Sequence, residues 1–380
     1  MYIDRTLDLR TTLEKRSCFL FGPRQTGKTW LINHLFQDCK TYNLLDSDIY
    51  LALSRSPRRL REEHGPGDQL IIIDEIQKLP SLLDEVHLMI ESLGVRFLLT
   101  GSSARKLRRG GVNLLGGRAR SRFLHPLTFN ELGDEFDLLR ALNSGLLPSI
   151  YFSDDPEDDL RAYAGDYLKE EVAAEGLTRN VPAFSRFLQV AASCNGQLIN
   201  YSKISNDAQV ARSTVQEYFG ILRDTLIGYD LPCWKGSVKR KPLSTAKFYF
   251  FDPGVVRFLQ NRSPVREGSP EFGDAFETYL FHELRSWSDY RRAAPLTYWR
   301  SKSGYEVDFI LDDRIAIEAK ATQTASARHL KGLKALREDS TFQRYILVCH
   351  EQRRREVDGL TIMPWREFIE ALWGGAIDVG

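Results

Sequence analysis

Two periods of apolar residues alternate along the first third of the chain. Short continuous runs at Ser17–Phe21, Thr41–Leu45, Leu70–Ile73 and Val95–Thr100 read as strands buried on both faces. Between them, Trp30–Phe36 and Ser81–Leu93 carry helical spacing. Such alternation predicts a doubly wound parallel α/β sheet. Three of the runs end in polar groups: Asp46, then Asp74 with Glu75, then Thr100 with Ser102 and Ser103. Ligands of open parallel sheets lie at those carboxyl ends. From Asp154 the pattern turns helical. An acidic cluster favours a helix N-terminus there, and helices are predicted at Pro182–Cys194, Ile199–Ala208 and Ser213–Leu226. Strands at Leu226–Trp234 and Lys247–Phe251 follow, with a basic connection between them. The last third predicts a helix over Phe272–Trp287 and then strands at Leu296–Arg300, Glu306–Leu311, Ile315–Lys320 and Tyr345–Val348.

The first strand–helix junction carries specific chemistry. Gly22-Pro23-Arg24-Gln25-Thr26-Gly27-Lys28-Thr29 fits the phosphate-loop pattern, with Trp30 opening the helix. Backbone N–H groups and the positive helix end favour phosphate oxygens there. Lys28 is expected to reach the β and γ phosphates of ATP, and Thr29 to bind Mg²⁺. Asp74 would hold the Mg²⁺ through water, and Glu75 would activate the attacking water. Thr100, Ser102 and Ser103 are candidates to sense the γ-phosphate; capping of a following helix is the competing role. Arg118, Arg120 and Arg122 sit at alternate positions and would share one strand face. They read either as solvated charges or, for Arg118 and Arg120, as arginine fingers supplied to a neighbour.

The segments FGPRQTGKT, LIIIDEIQKLP, LLTGSSARKL and GGRARSRFLHPLTFNEL resemble a prokaryotic family of AAA+ ATPases with a C-terminal domain of unknown function, number 4143. The resemblance covers nearly the whole chain and implies an ATPase that assembles as a homo-oligomer. The expected organisation is an AAA+ core over 1–127, a helical lid over 128–180, a winged helix-turn-helix over 181–262 and a restriction-endonuclease-like α/β domain over 263–380. Arg161 and Arg179 are both open as lid arginines. The wing, with Lys235, Lys239, Arg240 and Lys241 and no acid, suits DNA phosphates, or else is a solvated loop of a protein-binding module.

Asp308 followed by Glu318-Ala319-Lys320 resembles the D…(D/E)-x-K signature of restriction-endonuclease-like enzymes. Asp308 and Glu318 would share Mg²⁺, and Lys320 would stabilise the phosphoryl transition state or orient water. The resemblance puts a further acid of that site at Glu277, whereas burial periodicity singles out Glu283. Arg353, Arg354 and Arg355 form a basic run that reads as solvated.

Composition changes this picture little. The chain has 380 residues, 42% hydrophobic and 27% charged, with a net charge of +1, so its total charge names no polyanionic partner. Five cysteines without paired spacing argue against a disulfide framework or a zinc site and fit a reducing cytoplasm. No run approaches the length of a membrane span, and Asp4, Arg5, Asp8 and Arg10 do not form a signal peptide. The expectation is a cytoplasmic ATP-hydrolysing protein that acts on DNA, with turnover driving or gating a nuclease-like domain. The alternatives are a nucleotide switch or a protein-remodelling loader whose nuclease-like domain is inactive.

Overall fold

The computed structural model describes residues 3–103, 115–167, 180–236, 245–293, 295–339 and 342–377. These form two compact units. One is the chain to His125 with the short segment Asp224–Ile227; the other is Pro126–Arg223 with Gly228–Gly380.

The first unit is built on a parallel sheet of β1 (Ser17–Phe21), β2 (Lys40–Asn43), β3 (Leu70–Asp74), β4 (Arg96–Gly101) and β5 (Ala119–Phe123), in the order β2-β3-β4-β1-β5. Phe19, Leu20, Ile71, Ile72, Ile73, Leu98 and Leu99 have no exposed surface, as the unbroken apolar runs require. The second run is shorter than its apolar pattern suggested. Asp46 leaves the strand and accepts the Asp48 and Ile49 N–H groups at 2.8 and 3.2 Å, so it caps the helix Ser47–Arg55.

In the second unit the helices Val181–Ser193, Tyr201–Ala208 and Arg212–Asp224 alternate along the chain with the strands of a small antiparallel sheet. It contains β6 (Gln197–Leu198), β7 (Gly228–Leu231) and β8 (Lys247–Phe250), with β8 central. Lys235 is exposed, while Lys239, Arg240 and Lys241 lie outside the described residues. A mixed six-stranded sheet follows, built from β9 (Thr297–Arg300), β10 (Glu306–Leu311), β11 (Ile315–Ala319), β12 (Arg344–Cys349), β13 (Arg355–Val357) and β14 (Leu360–Pro364). Its order is β13-β14-β12-β11-β10-β9. The helix Lys331–Asp339 buries Leu333 and Leu336 against Trp299, Val307, Ile310 and Leu347. It approaches so closely that a Cβ on Gly332 would stand 1.9 Å from the Glu306 carbonyl oxygen. The two sheets are joined through backbone. Trp234 donates its N–H to the Tyr298 carbonyl at 2.6 Å, and Tyr298 donates to the Pro232 carbonyl at 3.0 Å.

The segment expected as a lid packs inside this second unit. Phe129 and Phe136 join Tyr279 and Trp365 in an aromatic cluster. Arg161 is exposed and pairs with Asp158 at 2.5 Å, and Arg179 lies outside the described residues. Arg354 and Arg355 pair with neighbouring acids on the surface, in keeping with a solvated run. No helix among the described residues is long and apolar enough to cross a membrane.

The long helix Pro270–Arg291 carries both acids that the sequence singled out. Glu283 is fully buried and closes three elements together. Its Oε1 accepts the Phe129 N–H at 2.8 Å, and its Oε2 accepts the indole N–H of Trp373 at 2.8 Å. Burial away from any cation pushes its pKa up to about 8. The unfolded chain would titrate this group near 4.3, so folding takes up a proton between the two values. The stabilisation is complete below the unfolded value and is lost as pH rises through about 8. The contribution of this group to the melting temperature should therefore fall from about pH 5 to about pH 8 and level off above that. Glu283→Gln should flatten that slope in thermal unfolding scans, at the cost of about 1–3 kcal/mol for the donor left facing an amide N–H₂.

Candidate nucleotide site and a second acid cluster

The phosphate loop follows β1 directly, and its shape depends on close backbone approach. A Cβ on Gly22 would meet the Leu124 carbonyl oxygen at 2.4 Å, so only glycine fits. Gly27 has φ +90° and caps the helix Lys28–Leu35. Thr26 donates its hydroxyl to the Pro23 carbonyl at 2.8 Å, and Lys28 Nζ donates to the carbonyls of Gly22 and Pro23 at 2.8 and 3.0 Å. Arg5 clamps the loop from the N-terminal segment, donating to the carbonyls of Thr26 at 2.7 Å and His125 at 2.6 Å. Pro23, Arg24 and Gln25 form the loop itself, and Trp30 is 64% exposed on the helix that follows.

The end of β3 meets this loop. Thr29 donates its hydroxyl to Asp74 Oδ2 at 2.9 Å, and Thr100 on β4 donates to Asp74 Oδ1. Thr100 Oγ1 also accepts the Glu75 N–H at 3.1 Å. It therefore acts as a fully buried brace that orients both acids. Glu75 stands at φ 61°, the left-handed region that a non-glycine residue adopts only when its surroundings hold it there. Gln77 supplies part of that hold: its side-chain amide donates to the Glu75 carboxylate and to Ser102 Oγ, the latter at 3.2 Å. Ser103 is buried beside them, and the segment it was expected to cap lies outside the described residues. Oxygen groups of Thr29 and Asp74 joined beside a phosphate loop are a donor set that fits magnesium.

Arg118 precedes β5 and pairs with Glu91, while Arg120 and Arg122 lie on the strand. The expected common face therefore holds for Arg120 and Arg122, not for Arg118. Arg122 reaches Thr12 at 3.3 Å. Ser17 is paired with Ala119 and Phe21 with Phe123. Arg118 thus sits at the far end of the sheet, about 20 Å of strand from its own phosphate loop at ~3.3 Å per residue.

The second cluster forms where β10 and β11 pair antiparallel, which sets Asp308 beside Glu318. Lys320 joins them. Its Nζ lies 2.7 Å from Glu318 Oε1 and 3.2 Å from Asp308 Oδ2, and it donates to the Ala319 carbonyl at 2.9 Å. The Ala319 N–H donates to Asp308 Oδ2 at 3.0 Å. Glu277 belongs to this cluster and Glu283 does not. The tie to Glu277 is a residue that no local pattern marks: Lys247, on β8. Its Nζ lies 2.6 Å from Glu306 Oε1, 3.4 Å from Glu277 Oε1 and 3.6 Å from Asp308 Oδ1. Tyr249, also on β8, donates its hydroxyl to Glu277 Oε1 at 2.5 Å.

Charge follows from this geometry. Burial opposes the Lys247 ammonium, yet the facing Tyr249, Glu277, Asp308 and Glu306 hold its pKa well above the usual lysine range. Burial would raise Asp308, but Lys320 and Lys247 hold it below its usual value. Burial and the Asp308 charge push Glu318 up to about 8 and raise Glu277. Glu318 Oε2 is buried without a hydrogen-bond partner. Among the described residues no group of three His, Cys, Asp or Glu side chains is arranged to hold a metal. The cation expected between Asp308 and Glu318 is here the Lys320 ammonium. It reaches one oxygen of each acid, Asp308 Oδ2 and Glu318 Oε1, and leaves Glu318 Oε2 unmet.

Comparison with known proteins divides the chain in three. Residues 14–133 match the model of an AAA domain, residues 135–266 a domain of unknown function (DUF8612), and residues 272–368 a domain of unknown function (DUF4143). An uncharacterised protein of Haemophilus influenzae is 22% identical over 330 residues, covering 80% of this chain and 79% of the relative. One from Methanocaldococcus jannaschii is 24% identical over 342 residues, covering 81% and 75%.

Gln77 touches Glu75 and Ser102 but none of the loop groups placed to hold phosphate. Gln77→Ala should accordingly leave ATP affinity within about threefold and lower kcat by about tenfold, an orientation effect of roughly 1.4 kcal/mol. Equilibrium nucleotide binding and steady-state turnover separate the two quantities.

Proposed function

This chain joins an AAA domain to the domain of unknown function 4143, and on that premise we propose that it hydrolyses ATP and acts on DNA, with turnover gating its C-terminal acid cluster. One observation carries the ATPase half: Thr29 and Asp74 meet at 2.9 Å beside the Lys28 loop, with Glu75 held next to them. Lys28 would trade the carbonyls of Gly22 and Pro23 for phosphate oxygens. Thr29 and Asp74 would hold Mg²⁺, and Glu75, oriented by Gln77, would take the proton of the attacking water. Bound ATP supplies the phosphoryl group, and Mg²⁺ screens the charge that develops on it. Arg118 is too far from its own loop to serve it. A homo-oligomer in which Arg118 or Arg120 reaches a neighbour's nucleotide is the arrangement that uses these residues.

The DNA half rests on two features. Three helices followed by an antiparallel pair, with Lys235, Lys239, Arg240 and Lys241 between the strands, suit a winged helix-turn-helix on phosphates. Glu277 on a helix, Asp308 on β10 and Glu318 with Lys320 on β11 suit a restriction-endonuclease-like centre. A second reading, a nucleotide switch with an inactive centre, is favoured by the two lysines that already neutralise the acids. A cytoplasmic location belongs to the first reading.

Lys28→Ala should abolish ATP binding, measured with a fluorescent nucleotide. Glu75→Gln should keep binding and lose about 10²–10⁴-fold in kcat, the usual worth of a general base. Turnover like the parent's in Glu75→Gln would remove Glu75 from the role. Mixing the double variant Arg118→Ala, Arg120→Ala with Lys28→Ala should restore part of the activity lost in each alone. Incubation of the parent with ATP, Mg²⁺ or Mn²⁺ and DNA separates the two readings: strand scission lost in Asp308→Ala supports the nuclease, and ATP turnover without scission supports the switch.

A further inference from the structure

Lys247 is contributed by the segment matching one domain family, and the acids it meets belong to another, at residues 272–368. Its side chain is 4% exposed. Three carboxyl groups from two elements converge on its Nζ: Glu306 and Asp308 from β10 and Glu277 from the long helix. Asp308 is thereby held by ammonium on both sides, with Lys247 toward Oδ1 and Lys320 toward Oδ2. A divalent ion bonds carboxylate oxygens at about 2.0–2.6 Å. It shares them poorly with an ammonium confined beside them, because two cations then face each other in a low-dielectric site; the Lys320 side chain, 36% exposed, can turn to solvent, whereas that of Lys247, 4% exposed, is enclosed. Glu318 meanwhile keeps Oε2 buried and without a hydrogen-bond partner, on a residue that is 7% exposed. The cluster thus has an unmet acceptor for a further cation and a lysine standing among the oxygens that cation would need.

The β8 strand that bears Lys247 is fixed. The Tyr249 ring stacks on Phe281 at 4.2 Å, and its hydroxyl is bonded to Glu277.

We propose that Lys247 is a resident counter-cation that excludes divalent metal from the Asp308–Glu318 cluster, so that metal enters only when this ammonium leaves. The inference rests on reading the cluster as a cation site, and the test separates the two ideas. The full-length protein without nucleotide, Lys247→Met and Lys247→Arg are titrated with Mn²⁺, followed by the electron spin resonance of free Mn²⁺, and melted with and without it. Lys247→Met should bind Mn²⁺ at least tenfold more tightly than the parent. It should melt below the parent in metal-free buffer and recover with Mn²⁺. Adding Asp308→Asn to that variant should remove both effects, and Lys247→Arg should behave like the parent. If Lys247→Met does not fold, Lys247→Gln, which removes the same charge, is the second variant. Equal Mn²⁺ binding by parent and variant, lost in both on Asp308→Asn, overturns the role of Lys247 and leaves the cation site standing. A variant that is destabilised and gains no Mn²⁺ binding overturns both, and Lys247 is then a structural ion pair.

Discussion

A carboxylate taken out of water must find charge or hydrogen bonds where it lands. This fold answers that demand differently at each place that matters. Asp74 is met by two threonine hydroxyls, neutral donors from the loop helix and from β4. Glu283 is met by a backbone N–H and an indole N–H, so proximity to donors replaces charge and the group keeps its proton. Asp308 is met by two ammonium groups, one next to it in the sheet and one from a different sheet. The packing of helices and sheets around these three acids follows from which solution each received.

The contrast bears on chemistry. Hydroxyl donors turn readily toward a different partner, so Asp74 and Thr29 can exchange each other for magnesium and water at little electrostatic cost. Ammonium groups in a buried cluster cannot be exchanged so cheaply, because removing one leaves like charges facing each other. The acid beside the phosphate loop is therefore easily given a new partner, and the acid cluster is internally neutralised.

The sequence made the first of these sites legible because its parts are contiguous. A loop motif between a strand and a helix, and an apolar run ending in two acids, place Lys28, Thr29, Asp74 and Glu75 without long-range information. Resemblance to a D…(D/E)-x-K signature also grouped Asp308, Glu318 and Lys320. Gln77, Arg5 and Lys247 were not legible, for a common reason. Each acts across a contact whose partner is fixed only when the elements pack, and each sits in a stretch whose local pattern is ordinary. Periodicity pointed to Glu283 since it detects burial. It could not tell a carboxyl that pins three elements from one that faces a charged cluster, and here the six-residue offset to Glu277 separates the two. The basic residues Lys239, Arg240 and Lys241 fall outside the described structure, so the expectation of a wing rests on composition alone.

The backbone pairing of Pro232 and Trp234 with Tyr298 has a consequence for how such a protein could be cut or recombined. Family boundaries would place a seam between residues 266 and 272, where a gene fusion or a truncation might be thought harmless. A fragment begun at that seam would lose the strand partner of β9 at that position and, with it, Lys247. It would carry the Asp308 cluster with one lysine where the intact chain has two. The C-terminal segment as it stands in this fold is therefore completed by residues that precede the seam.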